Sequence, residues 1–226
     1  MKKWNELPSE MQVAEVKEYY DILEKRNASL VLKRIFDIIA SGIMIVILTP
    51  VMLILALFIK LDSKGPVMFR QRRVTTYNRV FRIYKFRSMV QNAESRGTQV
   101  TTNNDPRVTR VGKVIRGCRL DELPQLFNVF LGDMTFVGTR PEVEKYVAAY
   151  TNEMKATLLL PAGITSKASI EYKDEERLLE SAENTDEVYI NEVLPEKMKY
   201  NLEAIKNFSF FGDIKTMLET VLAVLK

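Results

Sequence analysis

The chain has 226 residues and a single cysteine, Cys118, so it is long enough for one sizeable domain plus a membrane element, forms no internal disulfide, and suits a reducing, cytosolic compartment. Histidine is absent, which excludes the commonest general base, the commonest zinc ligand and every Ser-His or Cys-His dyad, and leaves chemistry to carboxylates, Lys, Arg, Tyr or hydroxyls. The formal charge of +4 is unevenly spread: between residues 60 and 119, fifteen basic residues face only Asp62, Glu94 and Asp105, so the middle of the chain is built to meet anions.

In chain order, the opening MKKWNELPSE lacks the apolar core and small-residue cleavage site of a secretory signal. Residues 9–29 read as an amphipathic helix, with Ser9 and Gln12 fitting a capping box after Pro8 and Val13, Val16, Tyr20 and Leu23 near helical spacing. That helix either packs on the domain or lies on a bilayer surface, and the pattern leaves both open. Residues 35–59 are apolar but for Asp37, Ser41 and Thr49, and 25 residues at ~1.5 Å each cover roughly 37 Å, enough to enter or cross a bilayer.

Pro50 sits near the middle of this segment, where it removes a hydrogen bond and crowds the carbonyl of Val46, while the Thr49 hydroxyl can bridge a freed backbone group. A bend at Thr49-Pro50 is expected. Lys33 and Arg34 flank one end and Lys60, Lys64, Arg70, Arg72 and Arg73 the other, so the positive-inside rule holds both ends in the cytosol. A helix-break-helix that enters and leaves by one face meets both conditions; a kinked spanning helix is the alternative. Asp37, one turn from Lys33, is expected to pair with it.

Gly65-Pro66 marks a turn, and residues 67–69 and 80–84 read as short strands. Residues 91–106 are polar and read as a surface loop. A helical pattern starts at Val111, and residues 121–130 place Leu123, Leu126, Phe127 and Phe130 on one apolar face before Gly132-Asp133 ends it. A second helix is expected over residues 142–159, after Pro141 and before the break at Pro161-Ala162-Gly163. The Glu-rich stretch 171–192 and the amphipathic stretch 195–226 read as helices at the domain edge. The expected fold is mainly α with short β pieces (α+β): an N-terminal helical extension (1–32), a re-entrant membrane hairpin (33–60) and a small cytosolic catalytic domain with amphipathic interfacial helices (61–226).

Asp121 and Glu122 follow Arg116 and Arg119 and open a predicted helix, where dipole and free amides favour negative charge or phosphate. Alone, such a pair is an ordinary first turn. Its surroundings carry more. Lys33-Arg34-x-x-Asp37 precedes the apolar segment, and Gly65-Pro66-Val67 and Gln71-x-Arg73 follow it. Then come Tyr84-Lys85-Phe86-Arg87-Ser88-Met89, Asp105-Pro106-Arg107-x-Thr109-x-x-Gly112, Leu120-Asp121-Glu122-Leu123-Pro124-Gln125, Asn128-Val129, Gly132-Asp133-Met134 and Val137-Gly138-Thr139-Arg140-Pro141-Glu142. Together, over roughly residues 33–170, these runs closely resemble the bacterial sugar transferases known as monotopic phosphoglycosyl transferases.

The resemblance implies transfer of a sugar-1-phosphate from a nucleotide diphosphate sugar, usually a UDP-sugar, to a polyprenyl phosphate such as undecaprenyl phosphate at the cytosolic face of the bacterial inner membrane. It implies that Asp121 is the nucleophile that holds a covalent phosphosugar, that Glu122 beside it helps bind Mg²⁺, and that Arg87, Arg116 and Arg140 contact phosphate with Lys85 assisting. The re-entrant helix of such enzymes bends at a Ser-Pro pair, matched here by Thr49-Pro50. Two departures stand out: Thr139 replaces a proline in the usual Val-Gly-Pro-Arg-Pro run, and Pro161-Ala162-Gly163-Ile164-Thr165-Ser166 replaces Pro-Gly-Ile-Thr-Gly. The expected partners are the nucleotide sugar, polyprenyl phosphate and the phospholipid bilayer, with no nucleic acid and with a homo-oligomer left open. The competing reading is a non-enzymatic basic module on anionic lipid.

Overall fold

The computed structural model describes residues 1–93, 105–172 and 184–225. Glu94, Arg96 and most of the polar stretch expected as a loop, together with residues 173–183 of the Glu-rich stretch, lie outside the described residues. The N-terminal stretch is a 3-10 turn, Ser9–Met11, followed by α1, Ala14–Glu24. The expected capping box does not form: Gln12 has a non-helical backbone and its Nε2 donates instead to Leu7 O at 2.7 Å. Of the two settings left open for this helix, the structure selects packing on the domain. Met11, Val16, Tyr19, Tyr20 and Leu23 are buried in one cluster with Tyr150, Leu158, Leu159, Met198 and Ile205 from far along the chain. Each such side chain contributes about 1.5–3 kcal/mol by leaving water.

The long apolar segment is α2, Asn27–Asp62, a single 36-residue helix that carries Pro50 inside it. The expected interruption at Thr49-Pro50 is therefore not a gap in the helix; Thr49 Oγ1 donates back to Ile45 O at 2.6 Å beside the proline, an arrangement that favours bending. Its packing is inverted relative to a soluble core helix. The buried residues are Lys33, Asp37, Ser41, Met52 and Ile59, whereas Ile39, Val46, Ile47, Leu53 and Leu57 are all more than half exposed. Lys33, Asp37 and Ser41 lie one turn apart, so a polar stripe faces the domain. The expected Lys33–Asp37 pair is not what the structure builds. Lys33 Nζ pairs with Asp213 and donates to Val137 O at 2.8 Å, while Asp37 Oδ2 accepts from the Thr135 hydroxyl at 2.7 Å.

After α2, the strands β1, Met68–Thr75, and β2, Arg79–Phe86, form an antiparallel hairpin longer than the sequence pattern indicated. Among the described residues neither outer edge has a third strand. On the β1 side, Val74 N donates to Glu142 O and Arg73 Nη1 to Pro141 O. On the β2 side, the carboxamide of Asn128 bonds the backbone of residues 82 and 84.

Helix α3, Arg110–Gly117, starts at Thr109, whose hydroxyl accepts from Gly112 N, and leads through a 3-10 turn, Leu120–Glu122, into α4, Gln125–Leu131. The expected apolar face of this region divides. Leu126 and Val129 are buried against Phe81 and Ile83, whereas Phe127 and Phe130 face outward, Phe130 so close to Gly42 of α2 that a Cβ there would meet its ring at 3.5 Å.

Two short parallel strands escaped the sequence reading: β3, Met134–Val137, and β4, Ala162–Thr165. They approach so closely that a Cβ on Gly163 would lie 2.2 Å from Gly138 N, which requires glycine. The helix expected over residues 142–159 is instead α5, Glu144–Val147, and a 3-10 stretch, Met154–Leu159, because the chain turns inward to bury Tyr150, Ala156, Leu158 and Leu159. Helices α6, Lys167–Glu171, α7, Thr185–Val188, α8, Leu194–Lys206, and α9, Phe210–Leu225, complete the described chain. Helix α9 buries Thr216 and exposes Phe211, Leu218, Val221 and Leu222; its Phe210 ring packs edge-on at 5.7 Å from Phe36 of α2.

Candidate active site

Three segments converge on Glu122. Its own turn brings the carboxylate to the mouth of the hairpin; β2 brings Lys85, whose Nζ donates to Glu122 Oε1 at 2.7 Å; the loop after β3 brings Arg140, whose Nη2 donates to the same oxygen at 3.2 Å. The Asp-Glu pair does not open a helix, as the sequence suggested. Arg119 adopts a left-handed backbone (φ 53), which ends the α3 path, and Pro124 precedes α4, so side-chain cations replace the helix dipole as the source of positive field.

The two carboxylates sit in opposite electrostatic settings. Burial by itself would raise the Glu122 carboxyl, but the cations of Arg140 and Lys85 outweigh it and hold Glu122 well below the usual glutamate range. Asp121, buried at 8% exposure, is pushed up, chiefly by burial and also by Glu122, with Lys85 and Arg116 pulling the other way. Lys85 is itself pushed down by burial, partly offset by Glu122. Glu122 is an anion gripped by two cations, and Asp121 is the more basic, buried carboxylate beside it.

Of the expected phosphate contacts, the structure brings Lys85 and Arg140 together and sets Arg116 in electrostatic reach of Asp121. Arg87 is turned elsewhere. Its Nη2 donates to Ser63 O at 2.7 Å, Ser63 Oγ at 2.9 Å and Ile59 O at 3.4 Å, so it caps the C-terminal end of α2. Its Nε and Nη1 are buried with no hydrogen-bond partner among the described residues, and Gly65 (φ 127) presses on Nη1, where a Cβ would lie at 2.3 Å. Two residues that sequence reasoning did not single out, Arg73 and Gln125, line a crevice with Lys85, Arg140, Pro141 and Gly163. Gln71-x-Arg73 was the available signal, since an arginine inside a strand, on the same face as Lys85, must point at something. Thr139 and Ala162, remote in sequence, are also neighbours: Gly163 N donates to Thr139 O at 2.8 Å beside this crevice.

Among the described residues no group of three or more His, Cys, Asp or Glu side chains could hold a metal ion. The Asp121–Glu122 pair nevertheless fits Mg²⁺, which prefers hard oxygen ligands and is commonly held by one or two carboxylates, with waters and substrate phosphates completing the shell.

The bacterial sugar transferase family model matches residues 28–226. This chain belongs to that family. It is 42% identical over 197 residues to a UDP-N-acetylgalactosamine-undecaprenyl-phosphate N-acetylgalactosaminephosphotransferase of Aeromonas hydrophila, covering 86% of this chain and 44% of that protein. It is 35% identical over 194 residues to a UDP-glucose:undecaprenyl-phosphate glucose-1-phosphate transferase of Escherichia coli strain K12, covering 84% of this chain and 39% of that protein. A protein of the same name from Caulobacter vibrioides is 33% identical over 196 residues, covering 85% of this chain and 69% of that protein. The chain thus spans less than half the length of the Aeromonas and Escherichia relatives and about two thirds of the Caulobacter one.

Proposed function

We propose that the protein is a phosphoglycosyl transferase that moves a sugar-1-phosphate from a nucleotide diphosphate sugar, in the first instance a UDP-sugar, to undecaprenyl or a similar polyprenyl phosphate. The observation that carries this reading is the pairing of Lys85 and Arg140 on Glu122 immediately beside the buried Asp121, in a chain of the sugar transferase family. A carboxylate oxygen of Asp121 attacks the β-phosphorus; the new O–P bond forms as the bridging P–O bond breaks, and the electron pair leaves on the nucleoside monophosphate. An oxygen of the lipid phosphate then attacks the same phosphorus, restores the Asp121 carboxylate and yields the polyprenyl-diphosphate-linked sugar. Carboxylate and diphosphate repel one another, so the step depends on fixed cations, and Lys85, Arg140 and Arg73 supply them without reorganisation. Asp121 and Glu122 would hold Mg²⁺, which when bound neutralises diphosphate charge.

The inverted packing of α2 supports a membrane setting, because an outward apolar face along 36 residues calls for lipid as its solvent. Both ends of α2 are held by the same domain: Arg34 Nη1 donates to Val129 O at one end, and Asp62 Oδ2 accepts from Val111 N at the other. The intervening ~40 Å of helix exceeds the ~30 Å hydrocarbon core, so a spanning helix would need that domain on both sides at once. A helix bent at Pro50 that dips into one leaflet of the inner membrane meets this constraint, with the catalytic domain on the cytosolic face and α4 and α9 adding Phe130, Leu131, Phe211 and Leu222 to the lipid-facing side.

The test is turnover and adduct mass. Asp121→Asn and Asp121→Ala are expected to lose about 10⁴-fold or more of the UMP release that needs Mg²⁺ and polyprenyl phosphate. The wild-type chain mixed with its nucleotide sugar and no lipid should gain one phosphosugar on Asp121. Full activity in either variant overturns the mechanism, and binding without turnover across a panel of nucleotide sugars overturns the enzyme in favour of a basic lipid-binding module.

A further inference from the structure

Asn128 is fully buried on α4, yet it touches neither the crevice nor either carboxylate. Its Oδ1 accepts from Tyr84 N at 2.9 Å and its Nδ2 donates to Arg82 O at 2.9 Å. In a strand, the N–H of residue 84 and the C=O of residue 82 project from the same edge, and β1 already occupies the other edge in register Arg72↔Arg82 and Arg70↔Tyr84. A carboxamide is chemically a peptide group, so one side chain reproduces a rung of a third strand on an edge that would otherwise carry unpaired donors and acceptors.

The position of that rung matters for the reaction. Lys85 follows Tyr84 directly, and Glu122, to which Lys85 donates at 2.7 Å, lies six residues before Asn128 on the same turn-helix segment. The Asn128 and Lys85 side chains are two adjacent ties between β2 and residues 120–131. The distant end of α4 is secured separately, by the Arg79–Asp133 ion pair at 2.8 Å and by the Thr75 hydroxyl donating to Asp133 O at 2.7 Å, while Leu126 and Val129, on either side of Asn128, are buried in one cluster with Phe81 and Ile83. Those contacts dock the helix. The contacts at Asp133 lie beyond Asn128, on the side away from Lys85 and Glu122.

Resting on the transferase reading above, we infer that Asn128 is a positioning residue: its carboxamide, acting as a third strand on β2, holds the Lys85 ammonium against Glu122 and so keeps the cationic grip on the Asp-Glu pair in place. An apolar residue of similar size would fill the same space, as Leu126 and Val129 do on either side; only a group that both donates and accepts fixes the register of β2 against α4.

The experiment is a double-mutant cycle on the full chain in detergent or nanodiscs, using Asn128→Ala and Lys85→Met and reading kcat for nucleoside monophosphate release. Asn128→Ala is expected to lower kcat about tenfold. In the Lys85→Met background the same change should cost less than about twofold, because the group through which it acts is gone. Equal losses in both backgrounds overturn the inference and assign Asn128 to general stability. Arg79→Ala, which loosens the distant end of α4, should lower the melting temperature while keeping kcat within about twofold.

A readout independent of turnover separates failure here from failure of the transferase reading. Lys85 labelling by an amine-acetylating reagent, followed by mass spectrometry, should quicken several-fold in Asn128→Ala and in the milder Asn128→Ser as the ammonium comes off Glu122. Labelling as slow as wild type in the folded variants sinks the positioning role whatever the activity. Faster labelling in the variants, when the wild-type chain turns over no nucleotide sugar, would keep the positioning geometry and sink the transferase.

Discussion

The cluster between α1 and α8 and the seam between α2 and the face formed by α4, β3 and α9 are both well packed, but with opposite polarity. In the first, Met11, Tyr19, Leu23, Leu159 and Met198 fill the interior and charged residues such as Glu18 and Lys206 stay outside. In the second, Lys33, Asp37 and Ser41 are inside, and isoleucines, valines and leucines are outside. Under the membrane setting proposed above, each arrangement is the low-energy choice for its own solvent, water for the first and lipid for the second.

The largest stability effect that would break this contrast is Leu159→Ala in the water-side cluster, expected to cost about 2–5 kcal/mol in urea or thermal unfolding of the detergent-solubilised chain. A loss under about 1 kcal/mol would mean that the cluster is not a conventional core. Next comes Asp186, which accepts from Lys145 and, at 2.6 Å, from the Tyr146 hydroxyl; these hydrogen bonds, Lys145 first, hold its carboxyl below the usual range. A depressed folded value means that the stabilisation is present above the ordinary aspartate value of about 3.9 and is lost as pH falls below it. Asp186→Asn should therefore lower stability by about 0.5–1.5 kcal/mol at pH 7, with the gap to wild type closing below about pH 4 in a pH series of melting curves. The smallest effect sharpens the contrast most. Ile47→Ala, at a side chain 67% exposed on α2, should change detergent-solution stability by under about 0.5 kcal/mol, yet weaken retention on phospholipid vesicles in a flotation assay.

Much of this was legible in residue order because it is local. The apolar segment, the hairpin strands, the basic middle and the Asp-Glu pair announce themselves within a few residues. Four-residue strands whose burial does not alternate leave no period-two pattern, so β3 and β4 are not legible in residue order, and only their parallel pairing across 28 residues, from Met134 to Ala162, defines them. The interruption of the expected helix over 142–159 comes from tertiary burial overriding a helical pattern. At the site, the meeting of Lys85 and Arg140 on Glu122 was not foreseen, since both were expected to face phosphate, and the direction of Arg87 was unreadable: a long side chain at a strand end can serve either neighbour, and here the open carbonyls at the end of α2 take it. Asn128 was quoted as part of a motif, but nothing in its spacing says that it replaces a strand.

The pairing of Lys33 with Asp213 has a consequence for how the protein is made. The partners are 180 residues apart, and at typical synthesis rates of about 5–20 residues per second, on the order of 10–40 seconds pass between their emergence from the ribosome. Throughout that interval the basic end of α2 lacks the Asp213 partner that it has in the folded chain, and Asp37 is the one acid of its own helix within a turn of Lys33. Anionic headgroups are the available substitute, so the nascent chain is expected to linger at the membrane surface and to lock into its final seat only after α9 has been translated.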